Sequence, residues 1–335
     1  MAKKVSMKDI ANRVGVSTAL VSYVLNGLEK EKRVGPELVE KIRSVAKEMK
    51  YKPNQIARSL RKGSTNTVGF IVADIANPFF GQLARIIEDE AVKLGYTVIF
   101  GSSDEDYLKF GLLIDTLVNR QVDGIIIVPT EGCSEQIKSL MEENIPIVSI
   151  DRYLPGITTN HVILDNYKAT YSAVKYFISK GYKNINMIAY ESSLGHMQER
   201  IRGYREAMEE NGLAKELFVK KVRYDYLKHD MVKIMGELMN EKKIDALLFA
   251  TNAISISGLY TLMKNDIKVP DQIAVIGFDG HEVFDFYKPQ ISYIKQPLED
   301  MGKEAINILV DQIKGSPKTV HIELKSQLVV RGSCG

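Results

Sequence analysis

The chain has 335 residues, 45 % of them apolar, with 45 Lys+Arg against 42 Asp+Glu. That is enough for two or three domains and too apolar for wholesale disorder. The charge is uneven: residues 1–63 carry 15 basic and 6 acidic side chains, a net of +9, which leaves −6 on the remainder. A basic head on an acidic body fits contact with an anionic polymer. The two cysteines, Cys133 and Cys334, have no metal-like spacing partner, so no disulfide framework or metal site is expected. The start is followed by an amphipathic stretch and not by the apolar core of a signal peptide, and no apolar run reaches membrane-spanning length. A cytoplasmic protein without membrane attachment is the expectation.

Ser6-Met7-Lys8-Asp9 has the spacing of a capping box, with Asp in the place of Glu, and Ile10, Ala11 and Val14 then share one helical face. Gly15 supplies a turn. Ser17 can cap a second helix with Leu20, Val21, Val24 and Leu25 at helical spacing, ended by Asn26-Gly27. Gly35-Pro36 opens a third, with proline where no N–H is needed and an apolar face of Leu38, Ile42, Val45, Ala46 and Met49. Lys52-Pro53 closes it. Three short helices with a glycine in the first turn describe an all-α helix-turn-helix head, whose second helix would enter a major groove. The spacing is equally that of a three-helix bundle with no DNA role; the basic surplus separates the two.

From Thr67 onward the pattern alternates between short apolar runs and amphipathic helices. Val68–Val72, Thr97–Phe100, Gly124–Val128 and Ile145–Ile150 read as buried parallel strands, and so do Asn184–Ala189, Leu217–Val222, Asp245–Ala250 and Ile273–Phe278. Helical stretches near 79–94, 105–120, 134–143, 166–180, 197–211, 227–240 and 254–265 separate them. Two such series argue an α/β body of two lobes. The breaks at 151–165, 291–296 and 321–327 are the expected crossings between lobes. Ligands of such sheets bind beyond the carboxyl ends of the strands, a rule that selects Asp74, Asp151, Asn252 and Asp279. Asp165, just before Asn166, reads instead as a helix cap, and Glu131 and His196 are placed near the cleft by position alone.

Two long runs carry a resemblance: Val5 to Ala11 with Gly15 to Gly27, and Tyr51-Lys52-Pro53-Asn54-Gln55-Ile56-Ala57-Arg58-Ser59-Leu60. In order and spacing they resemble the lactose/galactose repressor family, and the resemblance extends to the C-terminus. It implies a head over 1–53, a hinge helix over 54–63 and a periplasmic-binding-protein-like body over 64–335. Lobe one would take 64–164 and 292–322, and lobe two 165–291 and 323–335. In the head it implies Thr18, Ala19 and Tyr23 facing base edges, and Ser17, Ser22 and Asn26 on phosphates. Tyr23 departs from the Arg or His common there and cannot form a bidentate fork on guanine, so an operator unusual for the family is expected. In the hinge the resemblance implies Ala57 and Leu60 in the minor groove, Leu60 as an apolar wedge, with Arg58 on phosphate.

In the body it implies effector contacts from Asp74, Phe79, Phe80, Asp151, Arg200, Tyr224, Asn252 and Asp279. Asn252-Ala253 stands where the family often has Asn-Asp, which weakens the carry-over at that loop. Phe79 and Phe80 read equally as the start of a core helix. Carboxylates, an amide and a guanidinium can fork onto vicinal hydroxyls while aromatics cover a sugar face, which suits a sugar or sugar phosphate. The implied function is a homodimeric regulator, a repressor, on double-stranded operator DNA, with no cofactor. Two alternatives are weighed. A solute-binding protein for uptake fits the body, but the basic head and the absent signal peptide argue against it. A sugar-acting enzyme lacks a phosphate loop, a zinc helix or a nucleophile elbow, and the five histidines are scattered.

Overall fold

The computed structural model describes residues 5–51, 63–241 and 244–335. The chain forms two compact units, Met1–Thr65 and Asn66–Gly335.

In the first unit, α1 (Met7–Val14), α2 (Thr18–Leu25) and α3 (Pro36–Glu48) close on a small core of Ile10, Val14, Val21, Val24, Val39 and Ile42. The capping box forms as expected. Ser6 Oγ accepts from the Asp9 N–H at 3.3 Å, and the Asp9 carboxylate accepts from the Ser6 N–H at 2.8 Å. Gly15 ends α1 with φ +80°, a conformation that costs glycine little and other residues more. Ser17 Oγ then accepts from the Leu20 N–H, so two capped helices meet across one tight turn. On α3 the fully buried positions are Val39, Ile42 and Ala46; Leu38, Val45 and Met49 sit at the rim.

The second unit contains two six-stranded sheets. The first has the order β11-β5-β4-β3-β1-β2 and is parallel throughout. It comprises β1 (Thr67–Val72), β2 (Thr97–Ser102), β3 (Gly124–Ile127), β4 (Ile147–Asp151), β5 (Asn160–Leu164) and β11 (His321–Leu324). The second has the order β12-β10-β9-β8-β6-β7, parallel except for the β10–β12 edge. It comprises β6 (Ile185–Tyr190), β7 (Phe218–Val222), β8 (Ala246–Phe249), β9 (Ala274–Phe278), β10 (Ser292–Lys295) and β12 (Gln327–Val329).

Alternation along the central strands sends side chains to both faces. Val68, Phe70 and Val72 of β1 pack under α4 (Pro78–Lys93) and α11 (Leu298–Ile313), while Ile71 packs under α5 (Tyr107–Asn119) and α6 (Ser134–Glu142). Lobe two repeats the plan. Met187 and Leu248 face α7 (Asn166–Ser179) and α8 (Gly195–Glu210), and Leu247 and Phe249 face α9 (Leu227–Glu241) and α10 (Asn252–Lys264). Each fully buried Val, Leu, Ile or Phe is worth about 1.5–3 kcal/mol, so these two-sided strands anchor the lobes.

The crossings fall at the far ends of the expected stretches. The 151–165 stretch contains β5, a full member of the first sheet, and the chain passes over only at Asp165. The 291–296 stretch contains β10, which pairs Ser292 with Ile276 of β9 and so belongs to lobe two; the passage falls at Gln296-Pro297. The last lies between Leu324 and Gln327, two residues beyond the proposed limit at 322, because β11 pairs with β5 as far as Leu324. Strands of three to five residues at the sheet margins are too short to announce themselves by period. Asp165 caps α7, its carboxylate accepting from the Lys168 N–H at 2.8 Å, as the sequence suggests.

Candidate functional site

On the head, α2 buries Val21 and Val24 and leaves the opposite face open. Ser17, Thr18 and Ala19 are exposed, and Ser22, Tyr23 and Asn26 are half-buried. Thr18, Ala19, Ser22, Tyr23 and Asn26 follow helical spacing, so the structure brings the predicted contact residues onto one face. Asn26 is partly engaged: its amide donates to the Ser22 carbonyl at 2.6 Å and to Ser22 Oγ at 3.1 Å, tying off the end of α2. The Lys32 ammonium lies 5.9 Å from the Tyr23 ring centre, which places a cation beside the aromatic. Ala57, Arg58 and Leu60 lie outside the described residues.

In the body, a cavity of about 440 Å³ lies between the lobes at the carboxyl ends of both sheets. Of the eight predicted effector residues, seven line it: Asp74, Phe79, Phe80, Asp151, Arg200, Tyr224 and Asp279. Asn252 does not. As the first residue of α10 its side chain turns into the protein, only 1 % exposed, and its neighbours Thr251 and Ala253 face the cavity in its place. Phe79 and Phe80 start α4, pack into the lobe-one core and also wall the cleft. Glu131 and His196 line it too.

Two of the strand-end carboxylates share an unusual backbone. Asp151 ends β4 with φ +70°, and Asp279 follows β9 with φ +61°. Aspartate enters this left-handed region more readily than bulkier residues, and here it places one carboxyl from each lobe in the cleft. Asp279 is 8 % exposed. Burial pushes its carboxyl up to about 7, while Arg200 and the Gln296 amide, donating at 2.9 Å, pull it back only in part.

Arg200 is held from three sides. Nε donates to Asn166 Oδ1 at 2.7 Å, Nη1 donates to the Ala250 carbonyl at 2.6 Å, and the guanidinium stacks 3.7 Å from the Phe278 ring centre. Burial lowers its pKa. Gly203, one turn on, lets α8 press against α7: a Cβ there would stand 2.3 Å from the Tyr167 carbonyl oxygen. Arg200 therefore owes its depth to a glycine.

Arg152 was not singled out by sequence. It is 5 % exposed and forks onto Glu105, with Nη1 and Nη2 donating at 2.9 and 2.8 Å, while Nε reaches Asp151 at 3.4 Å. Burial works against its charge, but the Glu105 carboxylate outweighs this and holds the pKa above the ordinary value. His196 is driven well toward neutrality by burial and by the two guanidiniums.

Two sets of hydrogen bonds span the lobes. The Tyr224 hydroxyl donates to Asp74 Oδ2 at 2.8 Å, and its ring lies 5.7 Å from Tyr190. Burial and that carboxylate hold the Tyr224 phenol well above its usual range. Glu131 accepts from Ser192 Oγ at 2.8 Å, the Ser193 N–H at 2.5 Å and Ser193 Oγ at 3.1 Å. Burial raises the Glu131 pKa, but these donors more than compensate. The strand-end rule, applied to β6 and β10 as well, would have found Tyr190, Glu191 and Gln296, which also line the cleft.

Comparison with known proteins agrees on both units. Residues 6–54 match the description "Bacterial regulatory proteins, lacI family", and residues 174–334 match "Periplasmic binding protein-like domain". The HTH-type transcriptional repressor PurR of Vibrio campbellii is 31 % identical over 336 residues, covering 98 % of each chain. The solved complex of transcriptional regulator CelR with cellobiose is 25 % identical with a TM-score of 0.70, over 98 % of this chain and 100 % of that one. The lac repressor dimer bound to operator and an anti-inducer shares the fold at 21 % identity and a TM-score of 0.87, over 99 % of both chains. A helix-turn-helix with an open α2 face, together with a two-lobed sensor body, defines a DNA-binding transcription regulator with a small-molecule effector domain. The likeness to PurR runs along nearly the whole length. The chain belongs to the lacI family of bacterial regulatory proteins.

Proposed function

We propose that this regulator is a cytoplasmic repressor that binds a double-stranded operator as a homodimer and changes its operator affinity when a small polyhydroxylated ligand fills the interlobe cleft. The observation that carries the reading is the cleft itself. Carboxylates, guanidiniums and aromatic rings from both lobes converge on about 440 Å³, a volume suited to a mono- or disaccharide. Asp74, Asp151, Asp279 and Arg200 would bind hydroxyls, and Phe79, Phe80 and Tyr224 would cover apolar ring faces. CelR, a relative by fold, is solved with cellobiose. Ligand acts only through different affinities for the two states of the body, and the Tyr224–Asp74 and Glu131–Ser192/Ser193 bonds belong to the state described here.

On DNA, Thr18, Ala19 and Tyr23 would meet base edges, and Ser17, Ser22 and Asn26 the backbone. In the hinge, Ala57, Arg58 and Leu60 would meet the minor groove and its phosphates. Paired half-sites ask for a two-fold dimer. Exposed apolar side chains on the body, among them Phe100, Leu108, Leu112, Tyr260 and Phe286, offer surface for one.

Footprinting of the full chain on its own promoter region and neighbouring operons tests the reading. A protected near-palindrome, lost on deletion of residues 1–62, is expected. Operator affinity retained by the shortened chain refutes the head assignment, and turnover of a bound sugar refutes the regulatory role of the cleft.

A further inference from the structure

We infer that the cleft selects a ligand without phosphate or carboxylate, a neutral polyol whose binding an amino group would strengthen. This deepens the reading of the cleft as an effector site and rests on it.

The argument is electrostatic. Six carboxylates line the cavity: Asp74, Glu105, Glu131, Asp151, Glu191 and Asp279. Among the described residues its cations are Arg152 and Arg200, and no lysine joins them. His196 adds no charge, since burial and the two guanidiniums keep it neutral. Three helix N-termini also face the space, at Phe79 in α4, His196 in α8 and Ala253 in α10. At about half a charge each they offset less than two of the carboxylates. The cleft stays negative by more than two charges, or by more than one if Asp279 holds its proton.

The guanidiniums cannot reverse this locally. Arg152 spends both terminal nitrogens on the Glu105 fork and its Nε on Asp151. Arg200 is the natural anchor for an anion, yet Asn166 and the Ala250 carbonyl already take Nε and Nη1. The nearby carboxylates of Asp151 and Asp279 also act on its charge. A phosphate on Arg200 would lie among like charges in a partly dry site, where repulsion is weakly screened. Hydroxyl donors suit the same carboxylates, and an ammonium suits them better.

The test needs neither operator nor effector. Ala253→Cys places a thiol on the cavity wall, and the native Cys133 and Cys334 are fully buried. Its rates of modification by aminoethyl- and sulfonatoethyl-methanethiosulfonate are measured and normalised to a free thiol. These reagents differ by two charges, so a cleft potential of little more than one kT per charge gives about a tenfold preference for the cation. We expect at least that at low salt, shrinking toward unity near 1 M salt. Adding Glu131→Gln should cut the ratio about twofold. Ser192→Cys, also on the cavity wall, repeats the measurement should the first variant fold poorly. A normalised ratio at or below one overturns the inference, as does isolation of a phosphorylated effector whose binding is lost in Arg200→Ala. Cation preference in a protein whose operator binding ignores every ligand would sink the regulatory reading and leave the charge selection standing.

Discussion

Asp279→Asn removes one ionisable carboxyl from a buried wall of the cleft while keeping an acceptor for the Gln296 amide. Asparagine also tolerates the +61° φ at this position. In the folded protein the carboxyl titrates at about 7 because of burial, against 3.8 ordinarily. Between those values the native state keeps a proton that the unfolded chain has released. Wild-type stability from this group is therefore full below pH 4 and falls as pH rises to 7. The whole difference amounts to about 4 kcal/mol. Asn cannot ionise, so the variant should exceed the wild type by about 1–2 kcal/mol at pH 5 and by about 4 kcal/mol at pH 8. Urea unfolding of the full chain reads this, with circular dichroism as the probe because there is no tryptophan. A stability gap that is flat between pH 5 and pH 8, or reversed in sign, refutes the account of a desolvated carboxyl. The same variant should lose effector response, since it gives up stability-costing charge that the ligand would need.

Further substitutions test the frame around the site. Arg152→Met leaves Glu105 and Asp151 without their cation and should cost about 3–5 kcal/mol, with Glu105→Gln restoring part of it in a double-mutant cycle; additive effects would deny the pairing. Gly203→Ala drives a methyl against the Tyr167 carbonyl and should cost at least about 2 kcal/mol, whereas Gly236→Ala, with open space at its Cβ in α9, should gain about 0.5–1 kcal/mol in the same melts. Glu131→Gln weakens the acceptor for the Ser193 N–H, and hydrogen exchange at that amide should quicken about tenfold; unchanged protection would mean the interlobe bond does not hold the cleft.

Much of the head and of the central strands is legible before folding. Ser6, Ser17 and Gly15 mark helix ends through contacts within four residues, and β1, β3, β6 and β8 appear as apolar runs because both faces are covered. The strand-end rule reached Asp74, Asp151 and Asp279 for the same local reason. It went astray at Asn252, where the turn of a helix start decides which of three adjacent side chains faces the cleft. The short marginal strands β5, β10, β11 and β12 gain their identity from partners: β11 lies beside β5 although 157 residues separate Leu164 from His321 along the chain.

What the sequence by itself determined is the local grammar: a basic capped helix-turn-helix, two series of buried strands, and carboxylates waiting at strand ends. Only the tertiary structure decided the company those carboxylates keep. Arg152 meets Glu105 across 47 residues, Gln296 meets Asp279 across 17, and Tyr224 crosses the cleft to Asp74 across 150. The charge of the cleft is a sum over side chains that no local pattern brings together, and burial, which lifts the Asp279 carboxyl, exists only once both lobes are packed.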